Sequence, residues 1–210
     1  MSNSPSIKLY RHPLSGHAHR AELMLSLLGL DVELIDVDLL KGEHKQPEFL
    51  NKNAFGQVPV IEDGEQTVAD SNAILVYLAS NYDQSHQWLP LDPKVASNVQ
   101  RFLSVAASAV ANGPAKARLV NVFNAPYDIE QLIRDSHNLL GVLDAHLRDR
   151  RWLAADHATI ADIANYTYIA HAPEGGVDLA PYPAVSAWLN RIEQLPGFVG
   201  MQKTAAGLAA

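Results

Sequence analysis

A proline-containing segment of this chain could bind a peptide through its backbone. Its sequence is Phe55-Gly56-Gln57-Val58-Pro59-Val60. Because proline lacks an amide hydrogen for the ladder of a sheet, two interpretations stand: an edge-strand proline in a plain turn, or a cis peptide bond between Val58 and Pro59. The cis form would turn the amide and carbonyl of Val58 out of the sheet. Exposed backbone groups at a strand edge can pair with an extended ligand.

Two pairs of polar residues could bind the ends of such a ligand. Asp70-Ser71 begins a helix, where the pair is either an ordinary N-cap or a site for an α-amino acid, with Asp70 on the ammonium and the helix end on the carboxylate. His44 and Lys45 lie in an irregular stretch. They could bind a second carboxylate, or they could belong to a solvated charged loop.

Ser15 lies where the first predicted helix begins. It is either an N-cap or a hydroxyl that donates to an anion at that helix end. No G-x-S-x-G turn surrounds it, so we do not expect a hydrolase nucleophile. His17 and His19 are two positions apart and do not share a helix face, which argues against a metal site. The chain has no cysteine, so any sulfur chemistry requires a ligand thiol.

The spacing of apolar residues predicts the elements that position these groups. Residues 7–10 form a strand, and a helix begins at Ser15-Gly16 and ends at Gly29. A second strand at 32–38 completes a strand-helix-strand unit, which favours a parallel pair. Asp63-Gly64 is typical of a hairpin turn. Further predicted elements are strands at 58–61 and 66–69 and a helix that Ser71 caps and that runs to about Tyr82.

The chain after residue 93 is predicted to be helical throughout. Thr159-Ile160-Ala161-Asp162 has the form of a capping box, with Asp in place of the more usual Glu or Gln. Pro183 begins the last helix, and Pro196-Gly197 ends it. The longest apolar face consists of Ile129, Leu132, Ile133, Leu140, Leu143 and Leu147.

Composition sets the class of protein and its expected location. The chain has 210 residues and a net charge of -7, without the basic stripe that nucleic acids or anionic membranes require. No apolar run is long enough to span a bilayer. The first six residues lack the features of a signal peptide, so we expect a cytoplasmic protein.

We expect an α/β domain at residues 1–83, a linker at 84–93 and an all-helical domain at 94–210.

Taken together, the sites suit a ligand with an amino-acid end, a central amide and a distal carboxylate, and a γ-glutamyl tripeptide has all three. Four segments follow one another along the first half of the chain: Ser15 with Arg20, Lys41-Gly42-Glu43-His44-Lys45-Gln46-Pro47, Phe55-Gly56-Gln57-Val58-Pro59 and Asp70-Ser71-Asn72-Ala73-Ile74. In this order and at this spacing they resemble the glutathione transferase superfamily, and most closely its serine-dependent phi-type and bacterial members. The helical half has weaker similarities at residues 159–162 and 182–198.

This resemblance implies a thioredoxin-like βαβ-ββα domain followed by a helical bundle, a homodimer and a role in detoxification. It implies that Ser15 hydrogen-bonds the glutathione sulfur and that Val58, beside cis-Pro59, pairs with the cysteinyl backbone. Asp70 and Ser71 would bind the γ-glutamyl end, and His44 and Lys45, with Gln57 nearby, the glycyl carboxylate. Two positions depart from the pattern: Ala54 replaces a common proline, and Asp70 replaces a more frequent Glu.

The implied reaction is attack by the glutathione thiolate on a small apolar electrophile, without a metal, a nucleic acid or a membrane as partner. Tyr10 competes with Ser15 for the role of donor to sulfur, although packing inside the first strand is the expected role of Tyr10. Two alternatives remain: glutathione-dependent peroxide reduction or thiol-disulfide exchange, and a non-catalytic binding protein. For the electrophile pocket we predict Leu14, part of the helix at 94–110, Ser108 and Arg118.

Overall fold

The N-terminal half is built on a four-stranded mixed sheet. The computed structural model describes residues 7–210. Residues 1–6, which lack the features of a signal peptide, lie outside the described part. The strand order is β2-β1-β3-β4. β1 and β2 are parallel, with Ile7 opposite Val32, and β3 is antiparallel to both β1 and β4. The elements of this half are β1 (Ile7–Arg11), α1 (Gly16–Leu27), β2 (Val32–Asp36), α2 (Pro47–Leu50), β3 (Val60–Asp63), β4 (Gln66–Ala69) and α3 (Ser71–Tyr82), with a 3₁₀ turn at Glu43–Lys45.

Alternation along the central strands divides the apolar residues between the two faces of the sheet. Leu9 and Ile61 belong to the main core. Their neighbours Tyr10 and Val60 pack instead in a small second cluster around Phe49, because successive side chains of a strand point to opposite faces. The α/β class and the order of elements are as predicted. The third strand begins at Val60, two residues later than expected.

The helix ends in this half follow from local backbone chemistry. Gly29 has φ 65°, which glycine adopts readily, and α1 ends before it. The predicted cap at Ser71 is wrong by one residue. Asp70 is the N-cap of α3, and its carboxylate accepts from the amides of Asn72 and Ala73, both at 2.9 Å. Ser71 is already helical, and its hydroxyl has other partners.

The C-terminal half is helical and is organised around α7, whose residues from Ile160 to Ile169 are all buried. The capping box is confirmed: Thr159 and Asp162 bond reciprocally. The Asp162 carboxylate also accepts from Trp188 Nε1 on α8 at 2.9 Å, so one buried side chain joins two helices. The helices are α4 (Pro93–Val105), α5 (Lys116–Phe123), α6 (Ile129–Leu147), α7 (Ile160–Ala170) and α8 (Pro183–Glu193), with a π-helical segment at Ala106–Ala115 between α4 and α5 and 3₁₀ turns at Ala172–Gly175 and Gly207–Ala209.

The segment between α3 and α4 has a defined conformation. Asp83 accepts from the amides of Ser85 at 3.0 Å and Trp88 at 2.7 Å. The Trp88 carbonyl accepts from the amide of Ile160 at 2.9 Å, which fastens the connection to the start of α7. Within residues 7–210, none of the helices combines the length and apolarity needed to cross a bilayer.

Candidate active site

A cavity of about 890 Å³ opens between the sheet half and the helical half. The wall formed by the π-helical segment and α5 is mainly apolar, with Ala107, Ala111 and Phe123, and also includes Asn112, Lys116 and Arg118. Polar groups of the sheet half form the other wall. Every residue predicted for glutathione binding is found there: Ser15, His44, Lys45, Gln57, Val58, Pro59, Asp70 and Ser71.

Ser15 is the N-cap of α1. Its backbone is extended, and its Oγ accepts from the amide of Ala18 at 3.3 Å. A hydroxyl that accepts one bond still has its own proton to donate. The side chain is half-buried at the positive end of a twelve-residue helix, an environment that stabilises an anion.

The peptide bond between Val58 and Pro59 is cis. Within the described chain, neither the amide nor the carbonyl of Val58 takes part in a hydrogen bond. Asn53, which is not among the predicted site residues, holds the loop that precedes Val58. Its Nδ2 donates to the carbonyl of Gln57 at 2.8 Å, and its Oδ1 accepts from the amide of Phe55 at 3.1 Å. Asparagine side chains commonly form such Asx turns in loops, so this turn could have been predicted from the sequence.

His44 and Lys45 lie beside the same loop. Lys45 Nζ donates to the carbonyls of Phe55 at 3.2 Å and Gly56 at 2.9 Å. An ammonium group has three donors, so one remains for a ligand. Gly56 has φ 57°, and a Cβ there would lie 2.6 Å from the His44 carbonyl. Glycine therefore allows the two segments to approach this closely.

Asp70 and Ser71 form the opposite end of the polar wall. Asp70 has φ 74°, an uncommon conformation for a residue with a side chain. Its Oδ1 caps α3, so Oδ2 is left for a ligand. The Ser71 hydroxyl accepts from Nη1 of Arg20 at 3.2 Å. Arg20 is 1% exposed, and although burial lowers its pKa to about 10, the guanidinium remains charged at neutral pH.

The two histidines near Ser15 contact different sets of partners. Nδ1 of His17 lies 3.1 Å from Nη1 of Arg20 and 3.3 Å from the Ser71 hydroxyl. Burial and the neighbouring Arg20 lower the pKa of His17 to about 3, so the ring is neutral at physiological pH. His19 contacts Thr167 Oγ1 at 2.8 Å and the Val199 carbonyl at 2.9 Å. Burial lowers its pKa to about 4.

The three residues predicted for the electrophile pocket have different positions. Leu14 and Arg118 line the cavity, whereas Ser108 does not. Ser108 is exposed, and its hydroxyl donates to the Ser104 carbonyl at 2.7 Å. The residues of the π-helical segment that face the cavity are instead Ala107, Ala111 and Asn112.

Arg118 is buried, with 1% of its side chain exposed. Its Nε donates to Glu174 Oε2 at 2.6 Å, and its Nη1 donates to the Leu14 carbonyl at 2.8 Å. Tyr10 lies outside the cavity lining, and its hydroxyl donates to Glu62 at 2.8 Å. Ser15 is therefore the hydroxyl side chain that reaches the cavity from the end of β1.

The chain is similar to known proteins along nearly its whole length. Residues 5–80 match the family profile described as the glutathione S-transferase N-terminal domain, and residues 110–196 match that of the C-terminal domain. The chain is 34% identical to glutathione S-transferase 3 of Zea mays over 216 aligned residues, which cover 96% of this chain and 94% of the relative.

Solved structures show the same similarity. A glutathione S-transferase from Pseudomonas fluorescens is 32% identical, with a TM-score of 0.88 over 94% of this chain and 99% of the other. A glutathione transferase from Phanerochaete chrysosporium, solved in complex with oxidized glutathione, is 27% identical. It has a TM-score of 0.85 over 94% of each chain.

Proposed function

Since this chain belongs to the glutathione S-transferase family and is a glutathione transferase, we propose that it joins the glutathione thiolate to small apolar electrophiles, with Ser15 as the donor to sulfur. One observation carries the proposal. Ser15, the free backbone of Val58 and the Asp70-Ser71 pair line the polar wall of one cavity, opposite an apolar wall.

Each polar group of this wall suits one part of glutathione. The free carboxylate oxygen of Asp70 suits the γ-glutamyl ammonium, and the Ser71 hydroxyl, which already accepts from Arg20, suits the α-carboxylate. The unpaired backbone of Val58 suits the cysteinyl unit as a short added strand. The remaining donor of Lys45, with His44 and Gln57 beside it, suits the glycyl carboxylate.

The chemistry requires glutathione to bind as the thiolate, because the thiolate is the nucleophile. A free thiol has a pKa of about 8.5, and lowering it by about two units requires about 2.7 kcal/mol. A charge-assisted hydrogen bond contributes about 1.5–3 kcal/mol, and the end of a helix up to about 1 kcal/mol. Ser15 at the N-terminus of α1 supplies both. No covalent intermediate with the enzyme is needed.

The test combines binding with turnover. Thermal unfolding is measured with and without millimolar glutathione, and 1-chloro-2,4-dinitrobenzene is assayed in the same buffer. Glutathione at about 100 times its dissociation constant should stabilise the fold by about 2.7 kcal/mol. Stabilisation together with turnover supports the proposal. Stabilisation with turnover of cumene hydroperoxide alone would favour peroxide reduction instead, and no stabilisation would contradict the proposed binding site.

We also propose that the enzyme is a homodimer whose interface includes Phe55. This aromatic side chain is 81% exposed and adjoins Gly56 in the proposed glutathione site. Sedimentation of the wild type and Phe55→Ser tests this: a dimer that becomes a monomer supports the proposal, and a monomeric wild type contradicts it. We place the enzyme in the cytoplasm, where glutathione keeps thiols reduced, with detoxification as its role.

A further inference from the structure

The peptide group between Leu14 and Ser15 is held at both ends. The amide of Ser15 donates to the carbonyl of His12 at 2.9 Å. The carbonyl of Leu14 accepts from Nη1 of Arg118 at 2.8 Å. The Ser15 amide and the Leu14 carbonyl belong to the same planar peptide group. The two hydrogen bonds therefore fix the plane of this peptide group, to which the Cα of Ser15 is attached. The first bond is local, whereas the second comes from α5, 104 positions along the chain.

Arg118 is itself held by a buried cluster around Glu174. The two residues form an ion pair at 2.6 Å with side chains that are 1% and 3% exposed. Glu174 also accepts from the Thr204 hydroxyl at 2.6 Å, and its other oxygen lies 2.6 Å from Nδ1 of His171. Although burial raises the pKa of Glu174, hydrogen bonds from Thr204, His171 and Arg118 lower it to about 2, so the carboxylate stays charged.

The cluster leaves the guanidinium little freedom. Nε is used by Glu174 and Nη1 by Leu14, and Nη2 is buried without a partner in the part of the chain that the structure describes. A Cβ on Gly175 would lie 2.7 Å from the amide of Arg118, so the backbone carrying Glu174 touches the backbone of α5. Nε and Nη1 of arginine lie apart on a rigid planar fork, so they bond Glu174 and the Leu14 carbonyl in fixed directions, whereas the three donors of a lysine all lie on one nitrogen.

We propose that Arg118 is a positioning residue, which orients Ser15 from the helical half by holding the Leu14 carbonyl, while Glu174 and Thr204 hold Arg118. This inference rests on the proposed role of Ser15 and extends it. The residues from α5, the turn after α7 and the C-terminal segment thereby act on the geometry of the sulfur site without touching glutathione.

The test measures the thiolate directly by its ultraviolet absorbance in the complex with glutathione, as a function of pH. Arg118→Lys keeps a charge opposite Glu174 but loses the rigid fork that separates the two donor nitrogens, and Thr204→Val removes one donor to Glu174 at nearly constant volume. We expect the thiol pKa in the complex to rise by about one unit in Arg118→Lys, which lowers the thiolate fraction and hence kcat/KM near pH 6.5 about fivefold. Thr204→Val should show about a threefold loss, and KM for glutathione should stay within about twofold in both.

Ser26→Ala is the matched control. It removes a hydrogen bond of 2.6 Å from α1 to the carbonyl of Gly197, another contact between the two halves but distant from Ser15. A thiol pKa that rises in the Arg118 and Thr204 variants but not in Ser26→Ala supports positioning. Wild-type thiol pKa and kcat/KM in both variants would overturn it. A wild type without thiolate absorbance would instead contradict the proposed function itself.

Discussion

The ring of Tyr168 lies against Gly16 so closely that a Cβ on Gly16 would be 2.7 Å from two ring carbons. Tyr168 comes from α7 and is 5% exposed, whereas Gly16 is the first residue of α1, next to Ser15. Only a residue without a side chain allows the aromatic ring to cover this helix end. The N-terminus of α1 is thus shaped by the helical half as well as by its own sequence.

Gly16→Ala should therefore destabilise the fold and reduce activity. Forcing a methyl group into a packed site costs about 1–3 kcal/mol, and the displacement would act directly on Ser15. Gly141→Ala is the control, because nothing lies within 4 Å of a Cβ there and alanine in a helix is about 0.5–1 kcal/mol better than glycine. Chemical denaturation of both variants tests the expectation, which a stable and active Gly16→Ala would contradict.

Ser15→Ala should lose most of the conjugating activity and keep most of the glutathione binding. Loss of a bond to a charged group is worth about 1.5–3 kcal/mol, or about 10- to 100-fold in kcat/KM. Kinetics with 1-chloro-2,4-dinitrobenzene and calorimetric binding of glutathione measure the two effects. Tyr10→Phe is the control, since that hydroxyl is bonded to Glu62. If Tyr10→Phe is impaired and Ser15→Ala is not, the assignment of the donor is wrong.

Asp70→Asn should separate the capping role of this residue from its proposed binding role. Asparagine caps helices as well as aspartate does and tolerates positive φ, so the free energy of unfolding should change by no more than about 1 kcal/mol. The ammonium group of glutathione would lose its counter-charge, and we expect KM for glutathione to rise about tenfold. Asp70→Ala should show both losses. An unchanged KM in Asp70→Asn would show that Asp70 caps α3 and that its charge does not bind glutathione.

His19 should make the fold less stable in mild acid. Its pKa is about 4 in the folded state because of burial, against about 6.5 when unfolded. The unfolded chain therefore binds the proton first as the pH falls, and stability declines from about pH 6.5 toward the folded pKa. Between pH 7 and 5 this residue should contribute a loss of about 2 kcal/mol.

His19→Gln can keep both hydrogen bonds of the ring without titrating. Urea unfolding at several pH values should give a shallower decline for this variant than for the wild type. The pKa of His17 is lowered in the same direction, so the quantity that tests His19 is the difference in pH dependence between the wild type and His19→Gln. Parallel curves would show that burial of His19 does not govern the acid response.

The sequence predicted the features that depend on neighbours in the chain. The capping box at Thr159, the hairpin at Asp63-Gly64 and the start of α8 at Pro183 all follow from local backbone preferences. The polar wall was also predicted, because the spacing of its segments resembles one family. The exact cap of α3 could not be predicted, since either residue of Asp70-Ser71 can cap a helix; in the structure Asp70 accepts from the first amides, and the Ser71 hydroxyl accepts from Arg20.

Features that depend on distant contacts could not be predicted. Nothing in the residues around Arg118 indicates that it reaches the Leu14 carbonyl, because that bond depends on how two halves of the chain dock. The predicted position of Ser108 in the electrophile pocket also differs from the structure. Ser108 lies in a π-helical segment, a rare form of helix, and the residues of this segment that face the cavity are Ala107, Ala111 and Asn112.

The two walls of the cavity belong to different halves of the chain, which has a consequence for how such an enzyme can diverge. The groups proposed to hold the tripeptide all lie before residue 72, whereas Ala107, Ala111, Leu119 and Phe123 come from the helical half. Substitutions among these four would reshape the space for a new electrophile and leave co-substrate recognition intact. Libraries for directed evolution, or duplicated genes under selection, could therefore explore acceptor range at these positions without sacrificing the thiol donor.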